Sequence, residues 1–367
     1  MNFESNSGEF FVIAGTELAK KRRRMRSYRF IDWATQVFLG AVVLLLLVAL
    51  ARGGDPRLAG LLLAAQITVA LAVHGLIRWD AGGRAPAVVS FLRSYYPILL
   101  YTGFFRETEW VNQLLGLTRL DPILIHWEQS WFGTQPSIRW MQLAPQPWVS
   151  EVLYASYFSF YLMIAGLGLW FWWKQPAVFP RFVAVMSFVF YCCYLIYMVV
   201  PVVGPRVFFD ASPERELLLQ FSGGVAPTGY PEAVQKGPFH LLMRLIYRNF
   251  EARSAAFPSS HVAIALTTLW FSWRYLRPIR WIHAFVVMLL CLSTVYCRYH
   301  YLVDVGAGIL TAMLLIPLGN WLFCYFEASS EKDSLPGLTD HPRPSRAVSA
   351  PDSRPLPKTP LREPAEK

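Results

Sequence analysis

The sequence is poor in charge. Asp, Glu, Lys and Arg make up only 16% of the 367 residues, whereas a soluble domain usually carries about 25%. Together with a hydrophobic content of 54%, this shortage excludes a disordered chain, a coiled coil and most soluble enzymes. Cysteine is also scarce, and the five cysteines lie within apolar segments without paired loop spacing. The sequence therefore indicates neither a disulfide framework nor a zinc site.

The apolar residues fall in eight blocks that predict an all-α, polytopic bundle of about eight transmembrane helices. A helix of about 20 apolar residues crosses the roughly 30 Å hydrocarbon core. Arg93 and Pro97 interrupt the third block, so a re-entrant helix is an alternative to a span there. In chain order the blocks are Ile31–Leu50, Leu58–Ile77, Val88–Phe105, Val152–Trp173, Phe182–Val203, Ser259–Trp273, Trp281–Cys297 and Val305–Phe326.

Lys and Arg are distributed unevenly between the two sides of this arrangement. With eight spans, the side that holds both termini carries 21 Lys and Arg, against 11 on the other side. Positive charge concentrates on the cytoplasmic side of membrane proteins, so both termini are predicted to be cytoplasmic. The net charge of +10 then reports orientation and contact with anionic lipids, and no nucleic-acid partner is predicted.

Four regions follow from the blocks and the charges. Residues 1–30 form a basic cytoplasmic N-terminus, and residues 31–87 form two N-terminal transmembrane helices. Residues 88–326 form the membrane core. Residues 327–367 are rich in Pro, Ser and charge and lack an apolar period, which predicts a disordered cytoplasmic tail. We expect a multi-pass protein of the cell inner membrane.

Three ionisable residues lie near the ends of the last three predicted helices, where such residues are costly and usually functional. His261 begins one helix, and His300 and Asp304 lie at the junction of the last two. From His261 the chain runs about 15 residues to an arginine-rich turn at residues 275–280 and returns about 19 residues to His300. Both histidines are therefore predicted on the same outer face of the membrane.

The spacing of His300 and Asp304 suits acid–base and nucleophilic chemistry. Residues four apart lie on one face of a helix, so the carboxylate can accept a hydrogen bond from one ring nitrogen. The other nitrogen is then free as a nucleophile, and His261 supplies a general acid. The alternative for His300 and Asp304 is a metal-binding pair, although no third ligand is close in sequence.

Two features on the outer face suit a phosphate group. Ser259 and Ser260 follow Pro258 at a predicted helix start, where a serine N-cap and free backbone N–H groups can bind an anion. Arg206 ends the fifth block in Gly204-Pro205-Arg206 and can hold phosphate oxygens in a bidentate manner. An interfacial anchor is the alternative for Arg206.

The histidine motifs resemble those of the phosphatidic acid phosphatase type 2 superfamily. Pro258-Ser259-Ser260-His261 is similar to the family's Pro-Ser-Gly-His motif. Ser293, His300 and Asp304 match its motif of Ser-Arg, five residues, His, three residues and Asp, with Thr294 in the place of the arginine. The family's first motif is not recognisable. Gly204-Pro205-Arg206 resembles the branch of inositol phosphorylceramide synthase, and the resemblance covers roughly residues 90–325.

The resemblance implies a six-helix core, preceded here by two further helices, and a two-step phosphoryl transfer that needs no metal or other cofactor. His300 would attack the phosphorus of a phospholipid or sphingolipid substrate and form a phosphohistidine, which Asp304 would orient and stabilise. His261 would protonate the departing alcohol and then activate water or a hydroxyl acceptor. The residues that would bind phosphate oxygens are Arg206, Ser259, Ser260 and, as the substitute for the missing arginine, Arg298.

Two other functions stay open at this point. A non-catalytic, lipid-binding member of the same fold is compatible with the missing arginine. A transporter would place ionisable residues in the middle of several spans, whereas this chain has its key residues at helix ends. The sequence identifies no protein partner.

Overall fold

The computed structural model describes residues 28–82, 85–209, 230–250 and 254–332. Most of the predicted basic N-terminus and of the predicted tail lies outside these ranges. Within them the chain is all-α and contains no strand, and one isolated bridge joins Val202 to Ala255. The predicted fold class is confirmed.

The described ranges hold thirteen α-helices, joined by short connections. They are α1 Phe30–Ala51, α2 Pro56–Ala81, α3 Ala87–Leu115, α4 Asp121–Phe132, α5 Pro136–Leu143, α6 Pro147–Lys174, α7 Phe179–Val199, α8 Pro205–Phe208, α9 Glu232–Gln235, α10 Pro238–Phe250, α11 Ser260–Tyr275, α12 Arg280–Tyr296 and α13 Leu302–Lys332.

Each of the eight predicted blocks is a helix. Among the described residues, six helical segments are long and apolar enough to cross a membrane, namely α1, α2, α6, α7, α13 and α12 together with the 3-10 turn that precedes it, Arg277–Tyr296. The helices of the other two blocks are less typical of spans. Helix α3 contains four charged residues in addition to Pro97, and α11 has only 16 residues. Because α3 continues through Pro97 as one helix of 29 residues, it is long enough to cross a bilayer, which favours a span over the re-entrant alternative.

Helix α7 is the centre of the bundle. In its most apolar window 72% of the residues are buried, compared with 22–39% in the other five candidate spans. It packs against α1, α3, α11 and α13, and side chains such as Phe182 and Tyr197 are fully buried. The outer helices keep a large apolar surface exposed, as lipid-facing helices do.

Arg93, which interrupts the third apolar block, has two partners inside the bundle. Its guanidinium lies 3.0 Å from a carboxylate oxygen of Asp32 in α1 and 2.8 Å from one of Asp80 in α2. The hydroxyl of Tyr96 also donates to Asp32 at 2.9 Å. A buried charge is tolerated when it is paired and hydrogen-bonded. This network therefore joins the two N-terminal helices to α3.

The last helix extends beyond its predicted block, Val305–Phe326, at both ends. Arg298 has a φ of +64°, and a turn through residues 297–301 separates α12 from α13. His300 consequently precedes α13, and the expectation that His300 and Asp304 share one helix is wrong. Helix α13 runs to Lys332, so the first residues of the predicted tail are helical.

Candidate active site

The site is built around two histidines that the hairpin of α11 and α12 brings together. His261 lies in the first turn of α11, and His300 follows the end of α12. Nδ1 of His261 lies 3.3 Å from Nε2 of His300, with the ring centroids 5.4 Å apart. The sequence predicted that these two side chains meet, and the structure places them in direct contact.

The second ring nitrogen of His300 is fixed by a backbone carbonyl. Its Nδ1 donates to the Ala256 oxygen at 2.9 Å and lies 3.4 Å from a carboxylate oxygen of Asp304. That same oxygen accepts a hydrogen bond from the Tyr301 N–H at 2.9 Å, which is how an acidic third residue commonly caps a helix. The orienting hydrogen bond predicted for Asp304 thus goes to Ala256, while Asp304 lies close by and fully buried.

Burial sets the protonation state of His300. Only 3% of the residue is exposed, and this desolvation lowers the pKa of its imidazole to about 4, although the bond to the Ala256 carbonyl works in the opposite direction. The ring is therefore neutral near pH 7. Nδ1 carries the hydrogen atom that is donated to the Ala256 carbonyl, so the free lone pair of the neutral imidazole lies on Nε2.

Two tyrosines extend the hydrogen bonds beyond His261. The Tyr157 hydroxyl lies 2.9 Å from Nε2 of His261 and also bonds to the Tyr247 hydroxyl. Nε2 of His300 can only accept, so Nδ1 of His261 donates to it, and Nε2 of His261 in turn accepts from Tyr157. The network therefore assigns one tautomer to each neutral histidine.

The histidines open onto a small cleft. Its lining includes both histidines, Arg206, Tyr247 and Tyr299. The Arg206 guanidinium lies 4.9 Å from the centroid of the Tyr247 ring, within the range of a cation–π contact. One cation and the uncharged imidazole of His300 thus line the same small space.

The backbone of Gly204 explains the Gly-Pro-Arg sequence. Gly204 has a φ of +86°, and an added Cβ would lie 2.7 Å from the Tyr299 carbonyl oxygen. A larger residue would strain the turn and also clash. The Arg206 N–H donates to the Arg298 carbonyl at 2.7 Å, so this turn packs directly on the segment that leads to His300.

Three of the predicted phosphate-binding residues have other contacts. Ser259 is the N-cap of α11, and its hydroxyl accepts from the Val262 N–H at 3.4 Å. The Ser260 N–H donates to the Tyr197 hydroxyl at 3.0 Å, and the Arg298 guanidinium lies over the Tyr230 ring. None of the three lines the cleft described above, and their binding of phosphate stays a prediction.

The tyrosine partners of His261 were not predicted from the sequence. Tyr157 lies inside an apolar block, and Tyr247 lies in α10, between two predicted blocks, with no pattern that relates it to α11. No signal in the sequence distinguishes them from the other tyrosines, of which the chain has 17 in total. The described residues contain no cluster of three or more His, Cys, Asp or Glu that could hold a metal ion.

A Tyr157→Phe variant tests the assignment of tautomers. It removes the donor to Nε2 of His261, so we expect kcat to fall about 10-fold with little change in KM, in line with the loss of one hydrogen bond. Steady-state kinetics with a lipid phosphate substrate measure both. Tyr161→Phe, one turn further along α6 and partly exposed, is the matched control. If Tyr157→Phe lowers kcat no more than Tyr161→Phe does, the assignment of tautomers is wrong.

The fold and the site define a class: a polytopic, all-α membrane protein with paired histidines and an arginine at one cleft. A model of the PAP2 superfamily matches residues 123–318, more than half of the 367-residue chain. The chain therefore belongs to the PAP2 superfamily. Members of this superfamily are generally phosphoesterases, and membership suggests a phosphatase or phosphotransferase that acts on lipid phosphate. Searches of curated proteins and of solved structures found no significant match.

Proposed function

We propose that this protein is a lipid phosphatase or phosphotransferase, similar to inositol phosphorylceramide synthase, that works through a phosphohistidine on His300. The observation that carries the proposal is the state of His300. Its Nδ1 is held by the Ala256 carbonyl, its ring is neutral, and its Nε2 lone pair lies at a cleft that Arg206 also lines. A fixed, neutral imidazole beside a cation is suited to attack a phosphate group.

The first step transfers the phosphoryl group to the protein. The negative charge of the entering phosphate favours uptake of one proton from solvent by His261. Nε2 of His300 then attacks the phosphorus, the bond from phosphorus to the departing alcohol breaks, and protonated His261 gives its proton to that alcohol oxygen. The 3.3 Å separation of the two ring nitrogens leaves no room for a phosphoryl group between them. The contact between the histidines must therefore open as the substrate enters from the cleft.

The second step releases the group. The neutral His261 left by the first step takes a proton from water or from a hydroxyl acceptor, whose oxygen attacks phosphorus. The bond from phosphorus to Nε2 breaks, which returns His300 to its neutral state, and protonated His261 releases its proton to solvent as the product leaves. Water as the acceptor makes the protein a phosphatase, and a hydroxyl of a lipid or head group makes it a transferase.

Charge at the site changes during this cycle, and two residues are placed to respond to it. A phosphorylated His300 whose Nδ1 is still protonated carries a positive ring, and the Asp304 carboxylate lies 3.4 Å from that nitrogen. The Arg206 guanidinium binds the phosphate oxygens. Ser259 and Ser260, at the N-terminus of α11, complete the proposed phosphate site.

The proposed orientation follows from charge. Arg274, Arg277 and Arg280 lie at the turn between α11 and α12, and the histidines lie at the opposite ends of these two helices. If this turn is cytoplasmic, as the positive-inside rule indicates, the cleft faces the outer side of the membrane. We propose the inner membrane of the cell, with both termini in the cytoplasm.

One observation favours a non-catalytic, lipid-binding relative instead. Thr294, which replaces the arginine of the third family motif, is fully buried and donates to the Cys291 carbonyl at 2.7 Å. It therefore supplies no charge for a phosphate group. A lipid-binding relative would bind the lipid at the same cleft without turnover.

A product analysis tests the proposal. Purified protein is incubated with phosphatidic acid labelled in its phosphate group, or with phosphatidylinositol labelled in its phosphate group together with unlabelled ceramide, with and without a chelator. We expect labelled free phosphate or a new labelled phospholipid, and the product identifies the acceptor. The labelled lipid recovered bound but unchanged would support the non-catalytic relative and contradict the enzyme.

A further inference from the structure

Helix α4 carries two buried carboxylates on the side that faces the site. Asp121 and Glu128 are seven residues apart, which is two turns of a helix, and both are fully buried. Trp127 and Trp131 lie on the exposed side of the same helix, with their rings stacked. The helix therefore has an apolar, aromatic outer face and an acidic inner face.

Asp121 joins two segments of the site. One carboxylate oxygen accepts from the Val203 N–H at 3.0 Å, and the other accepts from the Gly204 N–H at 3.0 Å. The hydroxyl of Tyr301 donates to the second oxygen, also at 3.0 Å. The first segment leads to Arg206, and Tyr301 directly follows His300 in the chain. One carboxylate thus connects the turn that carries the arginine to the residue beside the nucleophile.

Glu128 holds the first turn of α13. Its carboxylate accepts from the Leu302 N–H and from the Val303 N–H, the latter at 3.2 Å. These are two of the N–H groups that a helix start leaves without intrahelical partners, and negative charge is favoured there. Asp304 lies in the same turn. Burial raises the pKa of Glu128 to about 8, and the bond to Val303 opposes this rise.

We propose that Asp121 and Glu128 are positioning residues for the phosphoryl transfer. Asp121 sets the distance between Arg206 and His300, and Glu128 fixes the turn that carries Asp304. Neither carboxylate needs to touch the substrate, because both bind the backbone or the neighbours of residues that do. The inference rests on the proposed function. It adds α4, which begins before the stretch that the superfamily model matches, to the working parts of the site.

The two roles predict different kinetic effects. A displacement of about 1 Å at a reacting group can cost about 100-fold in rate. Glu128→Leu removes the oxygen that accepts from both N–H groups but leaves Arg206 in place, so it should lower kcat about 10- to 100-fold with little change in phosphate affinity. Asp121→Asn loosens the turn before Arg206, so it should lower kcat and also weaken phosphate binding about 10-fold.

The experiment measures kcat, KM and the binding of orthovanadate, a phosphate analogue, for the full chain in detergent. Glu232→Gln is the matched control, since this carboxylate is exposed and pairs with Lys236 at the surface. Tyr301→Phe is a milder second variant that removes only the hydroxyl bond to Asp121. We expect it to change kcat in the same direction as Asp121→Asn, by a few-fold. A purely structural role would lower the yield and the unfolding temperature but not kcat per folded molecule.

The outcomes separate this inference from the proposed function. If the wild-type protein turns over lipid phosphate and all three variants stay within two-fold of the control, the positioning roles are wrong and the function stands. The wild-type protein could instead bind orthovanadate without turnover, with that binding lost in Asp121→Asn and kept in Glu232→Gln. In that case the proposed enzymatic function is wrong and the positioning role of Asp121 stands. Absence of both turnover and binding in the wild type overturns both.

Discussion

Replacement of His300 by asparagine is expected to lower turnover by about 10⁴-fold or more, as removal of a covalent nucleophile does. Asparagine can still donate towards the Ala256 carbonyl, so the local backbone should keep its geometry. The attacking Nε2 is lost, and only the binding of the phosphate group by Arg206 and its neighbours is left. The rate of product release from a labelled lipid phosphate measures the effect.

The phosphorylated intermediate gives a second measurement for the same variant. Wild-type protein quenched during turnover should contain label in an acid-labile, alkali-stable linkage, and the variant should contain none. His126→Asn is the matched control, because His126 lies on the exposed side of α4. Label retained in the variant, or turnover above about one per cent of the wild-type rate, would exclude His300 as the nucleophile, since loss of a nucleophile costs far more.

Asp304→Asn is expected to lower the rate of formation of the phosphorylated protein by about 10⁴-fold, comparable to the loss of the carboxylate beside a catalytic histidine in other enzymes. An asparagine oxygen can still accept from the Tyr301 N–H, so α13 should begin at the same residue. The negative charge 3.4 Å from Nδ1 of His300 disappears, and the positive ring of the intermediate loses its counter-charge. Single-turnover mixing with labelled substrate measures this step.

Substrate binding separates loss of charge from loss of structure in this variant. We expect the substrate affinity of Asp304→Asn to stay close to that of the wild type, because Asp304 does not line the cleft. Asp55→Asn is the control, since Asp55 caps α2 from an exposed position and asparagine caps equally well. Formation of the intermediate at more than a tenth of the wild-type rate would show that the charge of Asp304 contributes little.

Much of the fold could be predicted from the apolar blocks. A helix in a membrane satisfies its own backbone groups, so long uncharged runs such as Phe182–Val203 leave little choice of structure. The meeting of His261 and His300 could also be predicted, because two helices of similar length joined by a short turn return the chain to one face. These arguments need only lengths and composition.

The local geometry of the site could not be predicted in this way. The positive φ of Arg298 ends α12 and leaves His300 outside any helix, which changes the partner of Nδ1 from Asp304 to the Ala256 carbonyl. A backbone carbonyl carries no sequence signal. Tyr157 is likewise an ordinary aromatic residue in an apolar run, and only the packing of α6 against α11 gives it a role.

Arg93 shows a second limit of prediction from the sequence, namely that the partners of a buried charge are not visible in it. In the sequence Arg93 interrupts an apolar block, and this interruption leaves a re-entrant helix as an alternative to a span. In the structure it pairs with Asp32 and Asp80, two residues from other helices that lie 61 and 13 positions away in the chain. A single charged residue in an apolar run therefore shows little until its partners are known.

The cleft that His261 and His300 line has a consequence for the order of events. On the proposed mechanism, donor and acceptor both enter through the cleft that contains His300, and the departing alcohol and the attacking acceptor take the same position opposite Nε2. The first alcohol has to diffuse away before the second arrives. On the proposed mechanism, the same cleft residues therefore select the donor and the acceptor at different times. The donor binds while His300 is neutral, and the acceptor binds while His300 is phosphorylated and its ring is positively charged.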